Sequence, residues 1–227
     1  MTAATWRKLR RQEQTVLDSC TTVLACTPLV QEDFRAQTRT PVACITNGFD
    51  EEDFTGPAPQ GDGLFNITHT GLFAADGNPF TLWKVLGEMA DTAPAFREAL
   101  RLRLVGKVDR EVLEAIQAAG LEANVVAPGP CDHATAVREQ RSASLLVLPL
   151  RNDPQYRPIL PGKLFEYLAA RRPVLGIGQR DGAMARVLAS TQAGITADWN
   201  DEPTLRRFLQ QAWKQHRDGV AAGLPAL

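Results

Sequence analysis

The chain has 227 residues, 44% of them hydrophobic and 22% charged, with a net charge of −1. A chain of this size suits one ordinary domain, or one domain with an appendage, and can bury about 70% of its unfolded surface. The composition excludes a disordered chain, and the near-zero charge excludes a global attraction to nucleic acid.

The first fifty residues offer a helix over 5–18, an apolar strand over 21–26, a second helix over 28–37 and a strand over 42–45. The turn "NGFD" (47–50) follows, then a Gly/Pro-rich stretch, "FTGPAPQGDG" (54–63), which reads as a linker. We place a domain boundary near residue 50, because what precedes it is too short to fold as a domain by itself. From there short apolar runs alternate with amphipathic ones. "LFNITHT" (64–70) predicts a strand and "NPFTLWKVLGEMAD" (78–91) a helix, with Asn78 as its N-cap and Pro79 at the first helical position. Strands at 101–106, 123–128, 144–150 and 173–178 alternate with helices at 109–120, 133–142, 162–170 and 182–190. A short strand near "GIT" and a helix over 201–219 complete the pattern. Such alternation implies right-handed crossovers and an α/β, doubly wound, mostly parallel, Rossmann-like sheet.

Cys20, Cys26, Cys44 and Cys131 show no CxxC pair and no metal-ligand spacing, which reads as reduced, unpaired thiols. The N-terminus has charge without an apolar core behind it, and no run approaches the 18 or so apolar residues of a membrane span. The expectation is a cytoplasmic protein without a transmembrane segment. No Walker loop, nucleophile elbow, GxGxxG or histidine metal cluster is present, so kinases, α/β-hydrolases and ordinary dehydrogenases are excluded.

In open parallel sheets ligands bind beyond the carboxyl ends of the strands. Gly71 ends its strand without a side chain, so a phosphate could approach its backbone, although by itself the residue fits a plain turn better. In "ILPGKLFE" the helix start at Gly162 and Lys163 favours an anion, and Glu166 lies one turn on with a carboxylate suited to two adjacent sugar hydroxyls. A solvated Lys–Glu surface pair fits the same spacing. Leu164, Phe165 and Leu168 are expected to turn towards the sheet. His69 and His133 stand at strand ends, where a hydrogen-bonded structural role is the commoner one. His216 and the acidic run "DEEDF" (50–54) are expected to face water.

Five segments in one order carry a resemblance: "VACITNGFDEEDF", "FNITHTGLF", "LRLVGKVD", "LEANVVAPGPCDHATAVREQRSASLLVLP" and "PGKLFEYLAARRPVLGIG". Over about residues 40 to 215 the chain resembles the C-terminal, nucleotide-sugar-binding half of GT-B glycosyltransferases of the family 4 type. The resemblance implies a GT-B half fold, with residues 51–227 as the donor-binding domain and residues 1–50 as a remnant of the acceptor domain plus the connection. It implies that Glu166 holds the donor ribose, that Gly162 and Lys163 face the diphosphate, and that Gly71 lets the phosphates approach. The loop 128–133, with His133, and the strand end at Val105–Lys107 would border the base. The donor would be a nucleotide-diphosphate sugar, with no metal or other cofactor.

Two positions depart from the pattern. Pro158 stands where many relatives carry a first glutamate, and Leu72 where many carry a basic residue. "RQEQTVLDSCTTVLACTPLVQEDF" (11–34) resembles only the last helix–strand–helix of an acceptor domain. The implied function is therefore sugar transfer to an acceptor such as a glycan or lipid-linked glycan, with this chain as the donor half and no catalytic base assigned. A partner protein carrying the acceptor site, or a homodimer through residues 1–40, would complete it. The alternatives are a nucleotide-sugar epimerase-like half and a non-catalytic domain that binds a nucleotide sugar or a protein.

Overall fold

The apolar runs expected as strands pair side by side in the computed structural model, which describes residues 2–57 and 59–219. The expected linker therefore includes one position, residue 58, outside the described residues, as are residues 220–227 of the expected second domain. The first segment contains α1 (Ala3–Ser19), β1 (Val23–Ala25), α2 (Pro28–Arg35) and β2 (Val42–Cys44). β1 and β2 pair in parallel as a separate two-stranded sheet, Leu24 opposite Ala43. Thr27 caps α2 by accepting from the Val30 N–H, with Pro28 at the first helical position, the placement both residue types favour.

A single turn of 3-10 helix over Glu51–Phe54 leads to the main body. There follow β3 (Phe65–Thr70), α3 (Phe80–Thr92), α4 (Pro94–Ala99), β4 (Leu100–Val105), α5 (Arg110–Ala118), β5 (Val125–Gly129) and α6 (His133–Ser142). β6 (Leu145–Pro149), α7 (Gly162–Ala169), β7 (Val174–Ile177), α8 (Ala183–Ser190), β8 (Gly194–Ala197) and α9 (Glu202–Arg217) complete it. All six strands of this sheet run parallel in the order β5-β4-β3-β6-β7-β8. With right-handed crossovers, that reversal of direction puts the helices of the two halves on opposite faces, so the central strands are covered on both sides. Phe65, Ile67, Leu102, Leu104, Leu145, Leu146, Val174 and Leu175 are buried accordingly.

Two expectations are corrected. Asn78 is not the N-cap of α3, because Pro79 occupies that position and the Asn78 side chain is buried instead. Its Oδ1 accepts from the Trp83 indole N–H at 2.7 Å and its amide donates to the Glu111 carbonyl at 3.1 Å, ties that join α3 to α5. In α7 the buried residues are Leu164, Tyr167 and Leu168, while Phe165 is only partly covered. The helix stops at Arg171, whose left-handed backbone (φ 54°) cannot continue it. Closing the molecule, α9 returns to α3 through Lys84, Glu88, Glu202 and Arg206, a four-charge network at the surface. No described helix is long and apolar enough to cross a membrane.

Candidate donor-binding crevice

The strand order reverses between β3 and β6: β3 leads outward to β4 and β5, and α6 carries the chain back to β6 on the other side. A crevice opens at such a point, beyond the strand ends. Its floor is the turn after β3. The Gly71 N–H donates to the Val105 carbonyl at 2.6 Å and the Phe73 N–H to the Lys107 carbonyl at 2.8 Å, so this turn is bound to the end of β4. Gly71 has φ +89°, and Gly106 beside it has φ +132°; any side chain at 106 would overlap the Gly71 carbonyl. Both positions therefore require glycine, one for the turn and one for close approach.

α7 brings Lys163 directly over this turn. A Cβ placed on Gly71 would lie 2.8 Å from both Cε and Nζ of Lys163. The ammonium reaches the Leu72 carbonyl at 3.4 Å and His69 Nε2 at 3.5 Å. His69 is buried in β3, with Nδ1 3.0 Å from the Val147 carbonyl and Nε2 3.2 Å from that of Leu72. A neutral imidazole carries one N–H and so cannot donate to both carbonyls. With the proton on Nδ1, facing buried Val147, Nε2 accepts from Lys163, and the ammonium bridges it to the Leu72 carbonyl. Burial, and then the charge of Lys163, hold His69 neutral by lowering its pKa to about 4. Burial also lowers the pKa of Lys163. The space over Gly71 is thus filled by a cation on a flexible stem, and by helix geometry the N–H groups of Gly162 and Lys163 have no partner within the helix. An anion here would meet that cation and those N–H groups together.

Lys163 and Glu166 do not form the surface pair that their spacing also allows. Glu166 points the other way, and its Oε2 accepts from the Gln140 amide at 2.7 Å. The same Gln140 nitrogen lies 3.1 Å from Thr70 Oγ1, and the Thr70 N–H donates to the Tyr167 hydroxyl at 3.0 Å. Burial pushes that hydroxyl's pKa up to about 12, so Tyr167 stays protonated. A continuous chain of hydrogen bonds therefore runs from the residue before Gly71 to the Glu166 carboxylate. Sequence reasoning missed Gln140 and Tyr167. Gln140 sits in a stretch, "HATAVREQRS", that reads as a polar helix, and only tertiary packing buries it.

Beyond Glu166 an open cleft of ≈ 800 Å³ is lined by residues 48–53, His133 and Glu166. His133 is the first residue of α6, and its Nε2 pairs with Asp53 Oδ2 at 2.8 Å. That hydrogen bond, with the negative charges of Asp53, Glu166 and Asp50 behind it, raises the His133 pKa. The acidic run thus does more than face water: Asp53 ties the segment before the sheet to α6. Arg141 adds to this by donating to the carbonyls of Thr55, Gly56 and Pro57 at 2.8–3.0 Å, so the start of the expected linker is fastened down. His216 packs against Phe65 and stacks on Trp213 (centroids 5.6 Å apart) rather than standing free in water.

Of the predicted site residues, Gly71, Lys163 and Gly162 meet at the floor, and Glu166 and His133 share the cleft. Lys107 stands on the loop after β4 with its side chain exposed and its backbone bound to Phe73. Leu72, which departs from the basic residue of the resembled pattern, is 55% exposed beside the floor.

The reversed six-stranded parallel sheet, flanked by helices, places the chain among α/β, Rossmann-like folds of the kind found in GT-B glycosyltransferases. The chain belongs to the family described as Glycosyl transferases group 1, whose profile matches residues 73–214. No curated protein sequence matches the chain significantly. Among solved structures, it is similar to WaaG, a glycosyltransferase involved in lipopolysaccharide biosynthesis (16% identity, TM-score 0.66, covering 87% of this chain and 55% of that one). It is also similar to sucrose-phosphate synthase from Thermosynechococcus elongatus (18%, 0.68, 93% and 53%). A third is S. aureus TarM, crystallised as a point mutant with fondaparinux, α-GlcNAc-glycerol and UDP (14%, 0.64, 94% and 41%). The chain spans about half the length of these structures.

Proposed function

We propose that this chain binds a nucleoside-diphosphate sugar in the crevice and acts as the donor half of a glycosyltransferase. The observation that carries the reading is the convergence of three groups at the switch point. They are the Gly71 turn, covered only by the flexible Lys163 side chain, the α7 start with Lys163 itself, and the Glu166 carboxylate with Oε1 not engaged by Gln140. The diphosphate would meet Lys163 and the helix N–H groups, and the ribose hydroxyls would donate to Glu166. Because Leu72 and Pro158 supply neither the second cation nor the first glutamate of many relatives, donor binding is better supported than catalysis. A non-catalytic nucleotide-sugar-binding domain is the second reading those two residues favour.

Transfer needs an acceptor site. We assign the contact with the acceptor-binding unit to α1 and the two-stranded sheet, where Trp6, Leu9, Val16 and Leu24 are exposed. The test starts from uridine diphosphate, the nucleotide present with TarM, beside the guanosine and adenosine diphosphates. Glu166→Ala should weaken the bound diphosphate by about 1–3 kcal/mol, the scale of hydrogen bonds to a charged group. Its melting temperature alone should barely move. Equal affinity of parent and variant would sink the assignment, and sugar transfer by the chain alone would refute the need for a separate acceptor unit.

A further inference from the structure

Gln140 is 1% exposed, yet it is a polar residue in the core of the sheet–helix interface. Its amide nitrogen makes two hydrogen bonds, to Glu166 and to Thr70, while its Oε1 is buried without a partner. Turning the amide over would give that oxygen the Thr70 hydroxyl as a donor, but would set it against the Glu166 carboxylate. The observed orientation is the one that gives Glu166 Oε2 a donor. A residue present only for packing would be apolar here, since a buried amide with one idle acceptor lowers stability.

The placement also decides where the carboxylate points. Glu166 has another attraction nearby, because its charge, after the Asp53 hydrogen bond, helps raise the pKa of His133 at the cleft rim. Gln140 holds Oε2 with the same nitrogen that reaches Thr70, so Glu166, which lines the cleft, cannot turn its whole carboxylate to the rim without losing that bond.

We propose that Gln140 is a positioning residue that fixes Glu166 for the two adjacent hydroxyls of a ribose, and so sets the preference of the site for ribonucleotide over 2′-deoxyribonucleotide donors. The inference rests on the donor-binding reading given above, and it adds a residue and a selectivity to it. Thr70 and Tyr167 extend the same chain to the Gly71 turn, so the ribose carboxylate and the diphosphate floor are held by one set of hydrogen bonds.

The test compares uridine, guanosine and adenosine diphosphates with their 2′-deoxy counterparts by calorimetry. The parent should bind its preferred ribonucleotide about tenfold or more tighter than the deoxy form, the range for a hydroxyl bonded to a carboxylate. Gln140→Met, close in volume and unable to donate, should shrink that ratio by about fivefold, within the range of coupled neighbours. Gln140→Asn, one methylene too short to reach both partners, should act alike and serves if the methionine variant does not fold. In a Glu166→Ala background the Gln140 substitution should leave the ratio where it is. A purely structural Gln140 would lower the melting temperature and weaken both sugars equally, leaving the ratio intact, and that result overturns the proposal while the donor reading stands. A parent that binds none of the diphosphates, or a Glu166→Ala variant that keeps the full ratio, overturns the donor reading and this inference with it.

Discussion

His69 and His133 mark the two ends of the crevice, and the same side chain does opposite things at them. His69 lies in a central strand, pressed between two carbonyls and a lysine, and its pKa falls to about 4. His133 stands at the start of α6 in contact with water and with Asp53, and its pKa rises. The floor thus sets a buried neutral ring beneath one partly covered cation, Lys163. The rim is exposed and acidic, and its histidine is paired with a carboxylate. Desolvation governs the first and a nearby opposite charge the second. On the proposed reading a diphosphate would gain most at the floor, where its charge would meet Lys163, and little at a rim lined by Asp50, Glu51, Glu52 and Asp53.

The largest test of this contrast is the acid stability of the floor. The folded pKa of His69 lies below its unfolded value of 6.5, so the folded state binds fewer protons between about pH 6.5 and 4. Its contribution is complete above pH 6.5 and is lost as pH falls, by about 3 kcal/mol once the folded value is reached. His69→Gln keeps a hydrogen-bonding side chain of similar reach and removes the titration. Denaturant unfolding at pH 7 and pH 4 should show the parent losing about 3 kcal/mol more than the variant. Parallel losses would mean that His69 is not the buried neutral ring described.

A smaller effect separates the cation at the floor from the chain that carries it. Lys163→Ala should weaken a nucleoside diphosphate by about 2 kcal/mol and the free nucleoside hardly at all, since a charge-assisted bond is the interaction removed. Added salt should narrow the difference, as exposed charges are screened over roughly 8 Å at 0.15 M. If nucleoside and diphosphate suffer alike, Lys163 serves only to cover Gly71 and His69.

How much of this was legible follows from what is local and what is not. The strands of the main sheet, and α7 with Gly162, Lys163 and Glu166, could be read directly, because apolar runs and a Pro-Gly helix start are local signals. α4, six residues long, carries too little periodicity to be seen between α3 and β4. Asn78 looks like a cap in sequence, but Trp83 and α5 claim its side chain. Gln140 and Tyr167 were unreadable for the same reason: nothing in "VREQRS" or "FEYLAA" says that these polar groups face each other's neighbours across two helices. The charges were legible as residues, whereas which one is buried and which is paired depended on elements 80 positions apart, as with Asp53 and His133.

The smallest effect concerns the rim. The folded pKa of His133 is raised, so its pairing with Asp53 contributes fully below about pH 6.5 and is lost as pH rises through the folded value. Both side chains are well exposed, at 56% and 35%, so the global gain is at most about 1 kcal/mol and salt reduces it further. The change should be clearest locally. The turn at Glu51–Phe54 hangs on His133, whereas the carbonyls of residues 55–57 are held by the Arg141 guanidinium. Amide hydrogen exchange, corrected for its intrinsic pH dependence, should show residues 51–54 opening more easily at pH 9 than at pH 6, with Thr55 and Gly56 unchanged. His133→Ala should bring the pH 6 behaviour of the turn to that seen at pH 9. Exchange that is insensitive to both pH and the substitution would show that the rim is held by the Phe49–Phe54 contact and not by the ion pair. The contrast would then rest on His69 alone, with the rim as passive packing.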